Sequence, residues 1–381
     1  MTTADTGGLA PFYSMVINDL ARRLEAQGRD ICFLEQGQPA APPAPRVIEA
    51  VRAVIDRPQP YSPFGGLPAL REGLSRYYAE QHGVTVPASR ILATMGSSAG
   101  FILAFLSAFR PGAKVAVTRP GYPAYLNTLS ALGFRAVEIE IRAEDGWRLT
   151  TDEIAAAHKR EPFEGLLLAS PANPTGAGVT RAQLGEIVAL CDRLGVRFMS
   201  DEIYHGLDFC GPSASALEFS DWVIAINSFS KYYCMTGYRI GWLVLPEELL
   251  ETAEMLQQNL FIAAPTLSQV AAIAALGERD YYETQKAHYA ENRPLLTAGL
   301  RRLGFAIEEG DGAFYAYADA GRFTNDSLSF CKQMLEVAGV AATPGVDFDR
   351  VNGHRYVRFS YAGSRQTIET ALQRMDAFLK R

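Results

Sequence analysis

Between about residues 90 and 245, short apolar runs alternate with amphipathic segments, and few architectures tolerate that rhythm. The runs 91–95, 114–118, 165–170, 196–200, 222–227 and 241–245 predict strands, and 98–109 and 180–194 predict helices between them. In the second helix Leu184, Ile187, Val188, Cys191 and Leu194 recur at helical spacing, with Thr180 placed to cap its start. Strands that are apolar on both faces must be covered on both. The pattern therefore predicts a mostly parallel sheet inside a three-layer α/β/α domain.

With 381 residues the chain exceeds one typical core, so a second domain is expected. After about residue 280 the rhythm changes to a long polar helix (280–303), short strands (305–308, 313–318, 356–360) and a closing helix (364–379). This predicts a smaller α+β domain. Ahead of the large domain, an apolar run at 31–34 leads into a Pro/Ala patch at 39–45 and a helical pattern at 46–55. The patch reads as a linker. The expected division is an N-terminal arm (1–45) that joins the small domain, a large domain (46–280) and a small C-terminal domain (281–381), which makes the small domain discontinuous.

Composition excludes several classes. A formal net charge of -6 offers no basic footprint for nucleic acid and no cationic attraction to a membrane surface. The five cysteines (Cys32, Cys191, Cys210, Cys234, Cys331) are far apart, which argues for reduced thiols rather than a disulfide framework. None of His82, His158, His205, His288 or His354 lies at zinc-ligand spacing from a cysteine pair. The stretch 261–276 is broken by Pro265, Thr266, Ser268 and Gln269, too short and polar to cross a bilayer. The amino terminus lacks the basic and apolar segments of a secretory signal, so a cytoplasmic protein is expected.

Ligands of open α/β sheets bind at the carboxyl ends of the strands, and several unusual sequences fall there. Met95-Gly96-Ser97-Ser98-Ala99-Gly100 opens a helix, where small residues and free N–H groups suit an anion; a tight turn with a capping serine is the alternative. Ser170-Pro171-Ala172-Asn173-Pro174-Thr175-Gly176 fixes a loop that leaves the Asn173 amide as a donor, unless it is only good turn chemistry. Ser200-Asp201-Glu202-Ile203-Tyr204 places a carboxylate and a phenol within reach of one region, although Tyr204 could equally be a core aromatic. Lys231, in Asn227-Ser228-Phe229-Ser230-Lys231, follows a buried strand, and desolvation there would make its amine a nucleophile. Arg239 could clamp a phosphate or pair at the surface. Arg358 interrupts an apolar strand, where either a substrate carboxylate or a structural acid would have to satisfy it.

In this order, the five segments together resemble the class I/II aminotransferases, fold type I of the pyridoxal-phosphate enzymes. The likeness runs from Leu34-Glu35-Gln36-Gly37-Gln38-Pro39 to the final helix. It implies the aspartate aminotransferase-like fold: the α/β/α large domain plus the smaller discontinuous α+β domain. It also implies pyridoxal 5'-phosphate as cofactor, held by Lys231 as a Schiff base, with Lys231 later moving the proton. Asp201 would then pair with the pyridine nitrogen, Asn173 and Tyr204 would meet the ring oxygen, and Tyr122 would stack on the ring. Ser97, Ser98, Ser228 or Ser230, and Arg239 would bind the phosphate. Arg358 would grip the substrate α-carboxylate, with Gly37 and Asn173 beside it. Tyr61 matches a segment that reaches the neighbouring subunit's phosphate, which implies a homodimer with shared sites.

The implied reaction moves an amino group between an L-amino acid and a 2-oxo acid by a ping-pong route. Family members that take aspartate can carry a lysine where this chain has Ser98, which puts aspartate specificity by that route in doubt. Pro11, Phe12, Tyr13, Met15, Val16 and Ile17 could line a side-chain pocket or pack against the small domain. A β-lyase or decarboxylase would keep the same cofactor contacts. A ligand-sensing regulator would need a DNA-binding module ahead of residue 34, where the sequence has too few residues for one. A dehydrogenase would need a glycine fingerprint that is absent.

Overall fold

The computed structural model of the chain describes residues 10–380. In chain order, α1 (Tyr13–Ala26) and β1 (Cys32–Phe33) precede α2 (Pro45–Arg52) and α3 (Pro68–His82). The alternating region runs β2 (Ile91–Thr94), α4 (Gly96–Ala108), β3 (Lys114–Arg119), α5 (Pro123–Ala131), β4 (Arg135–Glu140), α6 (Thr151–Arg160) and β5 (Gly165–Ala169). It continues with α7 (Arg181–Leu194), β6 (Arg197–Asp201), β7 (Ile224–Ser228), β8 (Gly241–Val244), α8 (Glu247–Leu260) and α9 (Thr266–Ala275). There follow α10 (Arg279–Leu303), β9 (Ala306–Ile307), β10 (Tyr315–Asp319), α11 (Ser327–Gln333), β11 (Val340–Ala341), β12 (Thr343–Pro344), β13 (Tyr356–Ser360) and α12 (Arg365–Leu379).

The central sheet has seven strands in the order β2-β8-β7-β6-β5-β3-β4. Only β8 runs against its neighbours, antiparallel to both β2 and β7. The carboxyl ends of β2, β3, β5, β6 and β7 therefore share one edge. Alternate residues supply opposite faces, as pleating requires. Leu166, Leu168, Phe198, Ala225 and Trp242 enter one buried cluster, whereas Leu167, Met199, Ile224, Ile226 and Leu243 enter another. The six strands read from the sequence are all present, with ends moved by one or two residues. The edge strand β4 was not among them, because only Val137 and Ile139 are buried in it while Arg135, Glu138 and Glu140 face outward.

Local signals explain how the helices begin. Thr180 accepts from Gln183 N and the Gln183 side chain returns to the Thr180 backbone, while Gly195 ends α7 in the left-handed region at φ 68°. By contrast, α4 begins at Gly96 with Met95 at its N-cap and no side-chain cap, so neither serine is the cap of the alternative reading. Ser97 and Ser98 lie instead inside the first turn, whose N–H groups point out of the helix end.

A third cluster unites the arm with the C-terminal part. Ile17, Ala21 and Leu34 pack with Phe314, Val357, Phe359 and Met375, and β1 pairs in parallel with β11 (Cys32 opposite Val340). The four-stranded sheet β12-β13-β10-β9 carries Arg358 at its centre, opposite Tyr317 on β10 and Thr343 on β12. No helix among the described residues is long and apolar enough to cross a membrane.

Candidate active site

A cavity of about 350 Å³ opens at the shared carboxyl edge of the central sheet. Ser97 and Ser98 reach it from the first turn of α4, Tyr122 from the N-cap of α5, and Asn173 from the loop after β5. Asp201 ends β6, Tyr204 follows in the next turn, and Ser230, Lys231 and Arg239 come from the β7–β8 connection. Gly37, from the loop after β1, and Arg358, from β13, close the cavity from the other side. Two residues read from the sequence lie elsewhere. Ser228 is buried behind Ser230, with its Oγ 2.8 Å from Ser230 Oγ and 3.1 Å from the Ile240 carbonyl it faces. Tyr61 is 81% exposed and off the cavity wall. A larger cavity of about 630 Å³, bounded by Tyr232 and Tyr233, contains none of these residues.

The geometry decides several readings that the sequence left open. Lys231 Nζ donates to the Gly37 carbonyl at 2.5 Å. Burial, then the nearby Arg358 and Arg239 charges, bring its pKa down from 10.5 to about 8, with Asp201 opposing. Asp201 accepts the Tyr125 hydroxyl at Oδ2 and the Ile203 N–H at Oδ1, the latter at 3.1 Å. Burial still raises its carboxyl to about 6, against the pull of Tyr125, Ile203 and Lys231. Asn173 Oδ1 accepts from Arg358 Nη1 at 2.8 Å, which fixes the amide and leaves its NH₂ to donate. Tyr204 shares a 2.8 Å hydrogen bond with the Tyr315 hydroxyl. Burial pushes the Tyr122 hydroxyl up to about 12, so that ring is neutral.

Arg358 is only 3% exposed, and its hydrogen-bond partners are neutral: Asn173 Oδ1, the Glu35 carbonyl at 2.6 Å and Thr343 Oγ1 at 3.2 Å. Its guanidinium lies 4.4 Å over the Tyr315 ring and 4.9 Å over Phe348. No structural acid pairs with it among the described residues, and a buried cation in that state calls for an anion from outside. Arg239 sits in the left-handed region at φ 53° and donates to the Thr236 carbonyl at 3.0 Å. Its guanidinium lies 2.5 Å from where a Cβ at Gly96 would stand, and Gly96 itself is held at φ 71°, the left-handed region that favours glycine. One end of the cavity thus offers Arg239, Ser230 and the open turn of α4 to an anion, and the other offers Arg358.

Asn18, Glu35, Tyr125 and Tyr315 are wall residues to which the sequence reading gave no role. Of the arm residues, Phe12 and Met15 line the cavity, Ile17 is fully buried in the third cluster, and Val16 is 43% exposed.

Residues 29–375 match the family model for aminotransferase class I and II. The chain belongs to that family. It is 42% identical to the valine–pyruvate aminotransferase of Mycobacterium tuberculosis, over 98% of this chain and 97% of that one. Among solved structures, an aminotransferase from Mycobacterium tuberculosis superposes with a TM-score of 0.96 at 41% identity, covering 100% of this chain and 99% of that one. The aspartate aminotransferase of Thermus thermophilus with maleate gives 0.93 at 28% identity, over 99% and 100%. This aminotransferase therefore has the aspartate aminotransferase-like fold, and its relatives as a family use pyridoxal phosphate.

Proposed function

We propose that this cavity holds pyridoxal phosphate on Lys231 and moves the amino group of an L-amino acid to a 2-oxo acid in two half-reactions. The observation that carries the reading is the set of three cations lining one cavity, Lys231, Arg239 and Arg358, whose hydrogen-bond partners are all neutral oxygens. An aldehyde with a phosphate at one end and an amino acid's carboxylate at the other fits that set.

Arg239, the open first turn of α4, Ser97, Ser98 and Ser230 would hold the phosphate. Ser228 takes a supporting place, since its Oγ accepts the Ser230 N–H at 3.0 Å. Asp201, steadied by Tyr125, would face the pyridine nitrogen; Asn173 NH₂ and Tyr204 would meet the ring oxygen, and Tyr122 would cover a ring face. When bound, the protonated ring withdraws electrons from the substrate Cα–H bond. Arg358 grips the α-carboxylate, with Gly37 beside it, and so fixes which Cα bond faces Lys231. The Lys231 amine, near a pKa of 8, could take the proton from Cα and deliver it to the cofactor carbon without a large energetic gap at neutral pH.

In the same reading the protein is a homodimer in which exposed Tyr61 reaches the second copy's phosphate. It resides in the cytoplasm, in keeping with its five free cysteines. The arm 1–45 and residues 281–381 form one domain and 46–280 the other, as the shared cluster of α1, β13 and α12 supports; residues 1–9 and 381 fall outside the described chain. A panel of L-amino acids mixed with the holoenzyme tests the reaction. Transamination predicts loss of the Schiff-base absorption with one oxo acid released per site. Release of pyruvate and ammonia without that loss would replace it with lyase chemistry.

A further inference from the structure

One carboxylate on the cavity wall has no task in the chemistry above. Glu35, between β1 and Gly37, is fully buried and lines the same cavity as Lys231 and Arg358. Its carbonyl accepts from Arg358 Nη2 at 2.6 Å, so it sits next to the guanidinium that takes the α-carboxylate. Its side chain turns toward α1, where Asn18 Nδ2 donates to Oε1 at 2.7 Å. The other oxygen, Oε2, is buried with no partner in hydrogen-bonding geometry. Burial raises this carboxyl above its ordinary range, an effect that the Asn18 amide, neighbouring donors and Arg358 offset in part.

From α1 and the residue before it, Phe12, Ser14, Met15, Asn18 and Arg22 line the same cavity. Arg22 is the cation among them, and it is already committed, donating to Glu25 at 2.8 Å and lying 4.3 Å over the Phe33 ring. We infer that Glu35 sets the donor class: the site takes monocarboxylic amino acids with neutral side chains and rejects those with a second carboxylate. The inference rests on the aminotransferase reading. In this inference a donor held by Arg358 would lay its side chain on the part of the cavity lined by Phe12, Met15 and Glu35. A second carboxylate there meets Glu35 in a site of low effective dielectric, where like charges repel strongly. A neutral side chain meets Phe12 and Met15.

The test measures kcat/KM of the holoenzyme for L-alanine, L-valine, L-aspartate and L-glutamate from the loss of Schiff-base absorption. Alanine and valine are expected to exceed the dicarboxylic donors by about 100-fold, and Glu35→Gln, which keeps an acceptor for Asn18, to narrow that ratio by about tenfold. Wild-type enzyme that takes aspartate as well as alanine overturns the inference, as does a ratio unmoved in Glu35→Gln. Should that variant fail to hold the cofactor, competition on the wild-type enzyme decides: butyrate must bind more tightly than succinate, and the reverse order refutes the inference. Failure of every amino acid to bleach the absorption would sink the transamination reading itself, and the butyrate–succinate comparison would still judge Glu35.

Discussion

Replacing Tyr125 by phenylalanine removes one hydroxyl and keeps the ring, which packs edge-on against Phe101 and Tyr122 at centroid distances of 5.3 Å. The hydroxyl donates to Asp201 Oδ2, in a pocket where burial has already raised that carboxyl to about 6. A hydrogen bond to a buried charged group is worth roughly 1.5–3 kcal/mol, and 1.36 kcal/mol is about one pKa unit. Losing it disfavours the ionised form, so the Asp201 pKa should rise by about one to two units. Ionised Asp201 is the form that keeps a bound pyridine protonated, so the acid limb of log kcat/KM against pH should move upward by the same amount. The loss should be about tenfold or more near pH 6 and small near pH 9. The assay is the half-reaction with one amino acid from pH 5 to pH 9, comparing Tyr125→Phe with wild type. The displacement of the limb is the observable. A uniform drop at every pH, or an unmoved limb, would refute the role given to Tyr125.

Three further outcomes are expected. Arg358→Lys should lower donor kcat/KM by about 10²–10³-fold, because an ammonium cannot reproduce the fork that also anchors Asn173, while cofactor retention on gel filtration stays at wild-type level. Gly96→Ala should weaken cofactor affinity at least about tenfold by fluorescence titration, since its φ of 71° suits glycine and the new methyl would displace Arg239. Asp201, Glu202 and Asp347 are raised by burial to about 6, 7 and 6 from ordinary values of 3.8, 4.5 and 3.8. Each binds its proton more tightly when folded, so their contribution to the stability of the cofactor-free chain declines as pH rises from about 4 to about 7. Asp347→Asn should therefore lose less Tm between pH 5 and pH 7.5 than the wild type, even though it weakens the cap on the Tyr13 and Ser14 N–H groups.

What the sequence made legible follows from where the chemistry sits. Lys231 and Asp201 stand at the ends of strands whose burial is written in consecutive apolar residues, so their desolvation could be read without a structure. Arg358 was conspicuous for the same reason, as a cation inside a buried strand. Choosing between Ser228 and Ser230 was beyond sequence, because it depends on how the chain turns after β7. Tyr125 lies three residues past Tyr122, on a helix whose spacing was available but not used. Tyr315 and Glu35 gave no local sign at all: their meaning comes from contacts across the chain, Tyr315 to Tyr204 and Glu35 to Arg358 and Asn18. Strand β4 escaped because an edge strand buries only alternate residues and dresses the others with charge.

Borohydride reduction of the holoenzyme, followed by peptide mass spectrometry, addresses the central assignment most directly. The account predicts one phosphopyridoxyl group per chain, on the peptide that contains Lys231, and none in Lys231→Ala. A stable adduct on a different lysine, or an unmodified Lys231 in enzyme that still transaminates, would contradict it.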